Sequence, residues 1–251
     1  VIDPTGWIST MRLNHLVPPF NNPAIRRAVL SALSQSDFME AQTSDRELWK
    51  DGVGIFCPGT PLATDAGMSA ITAPRDLEKA KAAIIAAGYK GEKVVVLGAA
   101  EIASSKALSD VGADLLRKLG FNVDYQLSDW GTVVQRRAKT EPVEQGGWNV
   151  YHTFWSGTDQ FTPAGHAFLR AHGRNAGPGW PDIPGLEQMR DEWFKAPSQE
   201  AQIAIARRMQ ELAFQEVPYI PLGQRFFPTA FRSNLTGILN GNPVFWNVKR
   251  A

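Results

Sequence analysis

A chain of 251 residues can form one large domain or two small ones, and its apolar fraction of 43% is enough for a substantial core. Lysine and arginine (26) nearly balance aspartate and glutamate (25), so the chain lacks the basic field with which proteins bind nucleic acid. No apolar run approaches the roughly 20 residues of a membrane-spanning helix. The first residues, Val1 to Pro4, lack the basic and apolar regions of a signal peptide, which predicts that such a peptide is absent or was removed with a preceding segment.

The first third of the chain predicts a strand, a helix and a long loop, followed by a second helix. Apolar residues alternate over residues 7–16, and from Ala24 they recur at helical spacing after a proline at the first turn. Residues 42–75 are rich in Pro, Gly, Thr and Asp, which is typical of a surface loop. Asp76 can cap the second helix, and Gly88 lies where a left-handed residue ends one.

The middle of the chain predicts a β-α-β unit. Residues 93–97 are a continuous apolar strand, and a helix begins at Ser104 or Ser105 and ends at Gly120. Residues 121–127 alternate between apolar and polar side chains, as a half-buried strand does. Such a unit should be a right-handed parallel crossover, so we assign the chain to the α/β class. In chain order, the remaining predicted elements are a helix capped by Asp129, a strand at 148–155, helices at 186–195 and 199–215, and short β pieces at 220–222 and 244–246.

The sequence carries no signature of catalysis, metal binding or nucleotide binding. None of the four histidines has the i, i+4 partner of a helical metal pair (His15, His152, His166 and His172). The single cysteine, Cys57, reads as a small buried residue beside a turn. Ser156-Gly157 lacks the preceding glycine of a nucleophile elbow, and Gly98 is not followed by the other glycines of a dinucleotide loop. We therefore predict no catalytic residue, no metal and no cofactor.

Eight tryptophans are the most distinctive feature of the composition, and four of them fall between residues 148 and 193. Aromatic faces combined with a few polar groups make ligand sites. Trp148 and Trp193 occupy predicted strand and helix positions and fit a core. Trp155 follows a strand and Trp180 lies in a Gly/Pro loop, so these two fit a ligand site and a core equally well.

Three motifs together point to a family. Arg12-Leu13-Asn14 precedes Pro18-Pro19-Phe20-Asn21-Asn22 and the helical Ile25-Arg26-Arg27-Ala28-Val29; Asp76-Leu77-Glu78-Lys79-Ala80-Lys81 precedes Ala87-Gly88-Tyr89; and Val217-Pro218-Tyr219-Ile220-Pro221-Leu222 comes late. This order resembles the bacterial extracellular solute-binding proteins of family 5, which include dipeptide, oligopeptide and nickel binders. The resemblance spans nearly the whole chain. Ser36 departs from it, since the family often has an acidic residue there.

The resemblance implies an α/β fold like that of type II periplasmic binding proteins, mainly the second lobe, with a parallel-rich mixed sheet flanked by helices. Family members are roughly twice this long, which implies that the N-terminal lobe is missing. On this basis residues 1–15 are a hinge segment, residues 16–217 are solute-binding lobe II, and residues 218–251 return to lobe I. The hinge strands would lie near residues 11–16 and 217–222.

The resemblance also implies a function. Such a protein is the periplasmic, or membrane-anchored extracellular, substrate-binding component of an ABC importer: it closes two lobes around a peptide or peptide-like solute, and the membrane permease recognises the closed form. The family's ligands span peptides, metal chelates, opines and sugars, so the solute stays open. Two alternatives also stay open, namely half of an α/β enzyme whose catalytic residues lie in the missing part, and a peptide-sensing chaperone or receptor.

Ligands of parallel α/β sheets bind beyond the carboxyl ends of the strands, which selects residues 97–104, 128–131 and 154–159. We expect Trp155 and Trp180 to pack against the solute, and Asp159 or Asp129 to pair with a cation such as a peptide amino group; Asp129 can instead serve as a helix cap. Trp155 and Asp159 also match the family's aromatic-plus-acid loop. The full set of predicted ligand-binding residues is Asn14, Gly98, Asp129, Trp130, Trp155, Asp159 and Trp180.

Overall fold

The computed structural model describes residues 1–241 and 244–251. Its strands are β1 (Trp7–Leu13), β2 (Trp49–Lys50), β3 (Lys93–Ala99), β4 (Asn122–Ser128), β5 (Val150–Ser156), β6 (Ile220–Arg225), β7 (Leu235–Thr236) and β8 (Lys249–Arg250). The first six form one mixed sheet in the order β2-β6-β1-β5-β3-β4, and β7 and β8 form a small second sheet. The predicted α/β class is confirmed.

Eight α-helices surround the sheet in the described ranges: α1 (Pro23–Ser31), α2 (Gln35–Gln42), α3 (Ser69–Thr72), α4 (Leu77–Ala86), α5 (Ala103–Lys118), α6 (Trp130–Arg137), α7 (Pro184–Lys195) and α8 (Gln199–Glu216). The sequence did not predict α2. This helix begins after Ser34, whose hydroxyl accepts a hydrogen bond from the Asp37 amide (3.4 Å), and it buries Phe38 and Met39.

The predicted helix ends are confirmed by their hydrogen bonds and backbone angles. Asp76 accepts a hydrogen bond from the Lys79 amide at 2.9 Å, and Asp129 accepts one from the Thr132 amide at 2.9 Å. Gly88 follows α4 with φ of 97°, a conformation that residues with a Cβ rarely adopt. Capping side chains therefore set where α4 and α6 begin.

The sheet has a parallel half and an antiparallel half. β3 pairs with β4 in parallel along its whole length, and with β5 in parallel at Val96–Val150 and Leu97–Tyr151. β1 is antiparallel to β5 and to β6, and β6 is antiparallel to β2. β3, β4 and β5 therefore end at one edge of the sheet, which we call the carboxyl edge. Trp7, the first residue of β1, lies opposite both Ser156 and Arg225, so the start of β1 and the end of β6 reach the same edge.

The sheet contributes to two main hydrophobic cores, because successive side chains of a strand point to opposite faces. Val94 and Val96 of β3 belong to the larger core, which the helices of one layer cover. Val95 and Leu97 belong to the smaller core, together with Trp148, Tyr151 and Trp180. Alternate side chains of β3 therefore pack into different cores.

β1 and β6 are central strands of the sheet. Every residue of β6 is buried, and so is every residue of β1 except Trp7. The segments expected to be hinge strands, residues 11–16 and 217–222, thus contribute to this buried body. The predicted domain boundaries at residues 15 and 217 stay a prediction.

The described residues 226–241 and 244–251 extend beyond the carboxyl edge. They contain β7 and β8, and Thr229 donates its amide to the Val1 carbonyl (2.9 Å) beside an Ile2–Pro228 bridge. The strand predicted at residues 244–246 is wrong, since the late strand is Lys249–Arg250. Several large apolar side chains are exposed here: Phe227, Phe231, Leu239, Phe245 and Trp246.

Gly112→Ala in α5 is expected to destabilise the fold by about 1–3 kcal/mol, the usual cost of overpacking a core. A Cβ at Gly112 would lie 2.1 Å from His152 Nε2, although alanine itself favours a helix. Urea unfolding of the intact protein measures the change. In the double variant with His152→Ala the loss should be smaller than the sum of the two single losses, and simple additivity would contradict the proposed clash.

Candidate functional site

The carboxyl edge brings together two of the three predicted loops, those after β3 and β4. The Ala100 amide donates to the Ser128 carbonyl at 2.8 Å, and the Trp130 amide donates to the Glu101 carboxylate at 2.7 Å. The loops after β3 and β4 are thus hydrogen-bonded to each other. β5 runs past the end of β3, because Leu97 is level with Tyr151, and it supplies Trp155 near its own end. Asp159 lies in the short 3-10 turn Gly157–Gln160 that follows.

Trp155 forms a partly exposed aromatic platform. Its side chain is 37% exposed and contacts Phe168 edge to face, with ring centroids 5.4 Å apart. Phe168 in turn packs on Tyr219 at 5.7 Å and lies 5.3 Å from the Arg12 guanidinium. Because both of these neighbours are buried, the platform is fixed from below and free on its outer side.

The two predicted carboxylates differ in what they already bind. Asp129 accepts hydrogen bonds from the Thr132 hydroxyl (2.6 Å) and the Thr132 amide (2.9 Å), and these bonds lower the pKa of Asp129. Asp129 is therefore a helix cap, one of its two expected roles. Asp159 is exposed, and no described side chain or amide binds its carboxylate. Trp130 is half-buried, with its ring 5.4 Å from the Arg137 guanidinium.

Three predicted site residues are buried. Asn14 has no exposed surface, because it donates to the Trp148 carbonyl (2.9 Å) and accepts from the Leu16 amide (3.0 Å). Gly98 is buried inside β3. Trp180 is 6% exposed, with φ of 45°, and packs on Trp148 at 5.8 Å.

Trp180 and Trp155 lie at opposite ends of β5. Trp148, the partner of Trp180, precedes the strand, and the rise from Val150 to Trp155 is about 16 Å at roughly 3.3 Å per residue. One small solute cannot pack against both rings. The geometry therefore narrows the candidate site to Asp129, Trp130, Trp155 and Asp159.

The structure adds residues that the sequence interpretation missed. Trp7, Phe154 and Phe227 line a cavity of about 300 Å³ together with Asp3, and Arg225 stacks on Phe227 with its guanidinium 3.9 Å from the ring centroid. Trp7 and Arg225 belong to antiparallel strands, whose start and end meet the carboxyl ends of β3, β4 and β5. The rule for parallel sheets does not select such positions.

Among residues 1–241 and 244–251, no group of three or more His, Cys, Asp or Glu side chains is placed to hold a metal ion. In the same described ranges, no helix combines the length and the apolar character needed to cross a bilayer.

Comparison with known proteins identifies relatives of the chain. The family described as bacterial extracellular solute-binding proteins, family 5 Middle, matches residues 1–177. A probable peptide ABC transporter periplasmic-binding protein of Sinorhizobium fredii is 33% identical over 247 residues, which cover 98% of this chain and 46% of that protein.

Solved structures share the fold at low sequence identity. The putative peptide binding protein AppA of Clostridium difficile has a TM-score of 0.80 and 14% identity, over 100% of this chain and 52% of that one. DppA of Helicobacter pylori, solved with the peptide STSA, and the PBP AgaA of A. tumefaciens, solved with agropinic acid, each have a TM-score of 0.78 and 19% identity over 100% of this chain. The match covers 48% of DppA and 52% of AgaA.

The predicted fold, that of type II periplasmic binding proteins, is confirmed by these structures. The chain spans about half the length of the relatives that it matches. Because the family match covers well over half of its residues, the chain belongs to the bacterial extracellular solute-binding proteins of family 5.

Proposed function

We propose that the intact protein is the substrate-binding component of an ABC importer, which binds a peptide or peptide-like solute in the periplasm and delivers it to a membrane permease. Family membership and the printed function of the S. fredii relative support this assignment. They also favour transport over catalysis, since the family consists of solute-binding proteins. Nothing in the described residues favours the alternative of an α/β enzyme.

The observation that carries the proposal is the pairing of Trp155 with Asp159 at the carboxyl edge. An exposed indole held from below offers apolar surface to a ligand side chain or peptide plane. A carboxylate with no described partner, four residues later, can accept hydrogen bonds from an ammonium group. Trp130 adds a second aromatic surface on the loop after β4, which β3 separates from β5, and Asp129 contributes charge while it caps α6.

The opposite wall of the site would come from an N-terminal lobe outside this chain. We place the two connections at residues 1–6 and 226–229, which lie side by side at the carboxyl edge. The exposed apolar side chains of residues 226–251 would pack against that lobe. Closure of the two lobes would then enclose the solute at the carboxyl edge.

In the intact protein, Trp155→Ala and Asp159→Asn are each expected to weaken solute binding about tenfold to a hundredfold, because each removes a central contact from an enclosed site. Calorimetric titration with a solute found by a thermal-shift screen of peptides measures the effect. Phe194→Ala and Asp182→Asn are matched controls, since both side chains are exposed and lie away from the carboxyl edge. Unchanged affinity in both test variants would remove this site assignment.

A further inference from the structure

A cavity of about 580 Å³ lies at the end of the sheet opposite the carboxyl edge, and we call it the amino-edge cavity. The residues of its wall that matter here are His15, Arg26, Arg174, Trp180, Asp182 and Glu216. β1 ends beside it, since Leu13 is level with Val150, the first residue of β5. Trp155 lies about 16 Å further along β5, at roughly 3.3 Å per residue. The amino-edge cavity is therefore separate from the solute-binding site proposed at the carboxyl edge.

Hydrogen bonds to the backbone hold one wall of the amino-edge cavity in a fixed shape. The His15 amide donates to the Gly179 carbonyl (2.8 Å), and the buried Arg12 guanidinium donates through Nε to the Pro178 carbonyl (2.7 Å). Trp180 follows, with 6% of its surface exposed and φ of 45°, a value that bulky residues rarely adopt. Strained residues of this kind persist where their surroundings enforce them, and they cluster at binding sites. This wall is therefore formed before any ligand binds.

Two arginines supply positive charge to the amino-edge cavity. Arg26 is 4% exposed and uses three of its five N–H groups, two on the Glu216 carbonyl (3.0 and 2.7 Å) and one on the Phe20 carbonyl (2.8 Å). The Arg174 side chain is exposed, and no hydrogen bond or ion pair joins its guanidinium to a described residue. The N-terminus of α1 adds partial positive charge, because Pro23, its first residue, also lines the cavity. Both guanidinium groups thus retain N–H groups that can donate to an anion.

Two carboxylates supply negative charge to the same cavity. The Glu216 carboxylate lies 3.9 Å from the Arg26 guanidinium, beyond hydrogen-bond range, and α8 ends at this residue with partial negative charge. Asp182 is exposed, and its carboxylate accepts no hydrogen bond from the described residues. His15 adds no charge at pH 7, because burial lowers its pKa well below the usual value and the charges of Arg26 and Arg12 lower it further. The charges of the wall therefore balance, with two arginines against two carboxylates.

We propose that the amino-edge cavity is a second ligand site, which binds a small zwitterion of the α-amino-acid class. The ligand carboxylate accepts hydrogen bonds from the two arginines, and the ligand ammonium group donates to the two carboxylates. The ligand side chain contacts the apolar part of the wall, which consists of Leu16, Pro23 and Trp180. This site goes beyond the proposed transport function and does not depend on it.

The balance of charge is what selects a zwitterion. An anion without an ammonium group meets two carboxylates that it cannot pair, and a cation without a carboxylate meets two unpaired guanidinium groups. Either mismatch weakens binding, since specificity comes from repulsion of the wrong ligand as well as from attraction of the right one. A ligand with both charges satisfies all four groups.

The test uses three probes that share one carbon skeleton. L-leucine carries both charges, L-leucinamide lacks the carboxylate, and 4-methylpentanoate lacks the ammonium group. Calorimetry at pH 7 measures the affinity of each probe for the intact protein. Because the probes differ only in their charged groups, any difference in affinity reports on the charges of the site.

Four variants and a double variant locate the binding. Arg174→Gln and Glu216→Gln each remove one charge from the amino-edge cavity. Arg207→Gln and Glu211→Gln are the matched controls, since both side chains are exposed on α8 and neither lines the cavity. The double variant Trp155→Ala/Asp159→Asn removes the solute-binding site and leaves the amino-edge cavity intact.

We expect L-leucine to bind wild type, both controls and the double variant with the same affinity. Arg174→Gln and Glu216→Gln should each bind it about threefold to tenfold more weakly, as the loss of one partly exposed charged contact predicts. Wild type should bind each of the other probes about tenfold more weakly than L-leucine. Glu216→Gln should reduce the discrimination against 4-methylpentanoate, and Arg174→Gln should reduce that against L-leucinamide.

Several results would overturn this site. Loss of L-leucine binding in the double variant would place the probe at the carboxyl edge, and unchanged affinity in both Arg174→Gln and Glu216→Gln would place it outside the amino-edge cavity. Failure of wild type to bind L-leucine would also overturn the site. L-leucinamide or 4-methylpentanoate binding as tightly as L-leucine would overturn the assignment to a zwitterion. None of these results bears on the transport function, which is tested by peptide binding at Trp155 and Asp159.

Discussion

Lowering the pH from 7 to 4 is expected to reduce the free energy of unfolding by about 3 kcal/mol for each of two buried histidines. His152 and His166 are each 1% exposed, and burial lowers the pKa of each from 6.5 to about 3. Below pH 6.5 the unfolded chain gains a proton at each site that the folded chain does not take up. Stability is therefore greatest above pH 6.5 and is lost as the pH falls toward 3, with a slope of about 1.4 kcal/mol per pH unit for each histidine.

His152 gives the sharper test, because neither of its ring nitrogens has a hydrogen-bond partner among the described residues. The ring stacks on Phe38 at 6.2 Å beneath Gly112, so leucine can replace it without loss of a hydrogen bond. Urea unfolding of the intact protein at pH 7, 6, 5 and 4 should show that His152→Leu is less sensitive to pH by about 1.4 kcal/mol per unit.

Gln160→Leu is the matched control for the pH series. Its side chain is equally buried and equally without hydrogen-bond partners in the described residues, but it does not titrate. This substitution should change stability by the same amount at every pH. A pH dependence in His152→Leu that equals that of wild type would refute the explanation from burial.

Replacement of Arg12 by leucine should lower the free energy of unfolding by about 3–5 kcal/mol. Removal of one member of a buried charged network leaves the other members without hydrogen-bond partners. The fully buried guanidinium donates to the carbonyls of Pro178 (2.7 Å), Phe168 (2.8 Å) and Pro218 (3.1 Å). These bonds join β1 to the segment after β5 and to the turn before β6. Removal of Arg12 leaves two buried acceptors and one partly buried acceptor without this donor.

Urea unfolding of the intact protein measures this loss, and Arg27→Leu is the control. Arg27 also donates to a carbonyl, that of Gln215 at 2.8 Å, but its side chain is exposed. The control should cost less than about 1 kcal/mol. Because Phe168 supports Trp155, Arg12→Leu should also weaken solute binding. Equal losses in the two variants would show that the buried carbonyl network is not what stabilises β1.

Local patterns predicted most of the elements in this chain. Capping by Asp76 and Asp129, the alternation over residues 121–127 and the helical spacing in α5 and α8 depend on near neighbours, and the structure has those elements. The helix α2 was not predicted from the sequence, because it is short and has only two buried apolar side chains, Phe38 and Met39. The strand β2 was not predicted either. Its two residues form a strand only because they pair with β6, which lies about 175 residues later in the chain.

The candidate site was predictable only where it depends on parallel strands. Trp155 lies at the end of such a strand, and Asp159 and Asp129 follow one, so the sheet rule selects them directly. Arg225 and Trp7 reach the same edge from antiparallel strands, and sheet order cannot be obtained from spacing along the chain. Asn14 and Trp180 carry chemical groups that could bind a ligand. In the structure both side chains instead contact Trp148, which is distant from Asn14 in the sequence.

The two segments that leave the sheet beside each other have a mechanical consequence. Residues 1–2 and 228–229 are joined by backbone hydrogen bonds, so they resist shearing past one another and bend together. A force on these two segments is transmitted to β1 and β6. Each of these strands is paired on both sides within the sheet. The sheet would then rotate as a rigid body. Trp155 lies on β5, which pairs with β1, so its indole would rotate with the sheet.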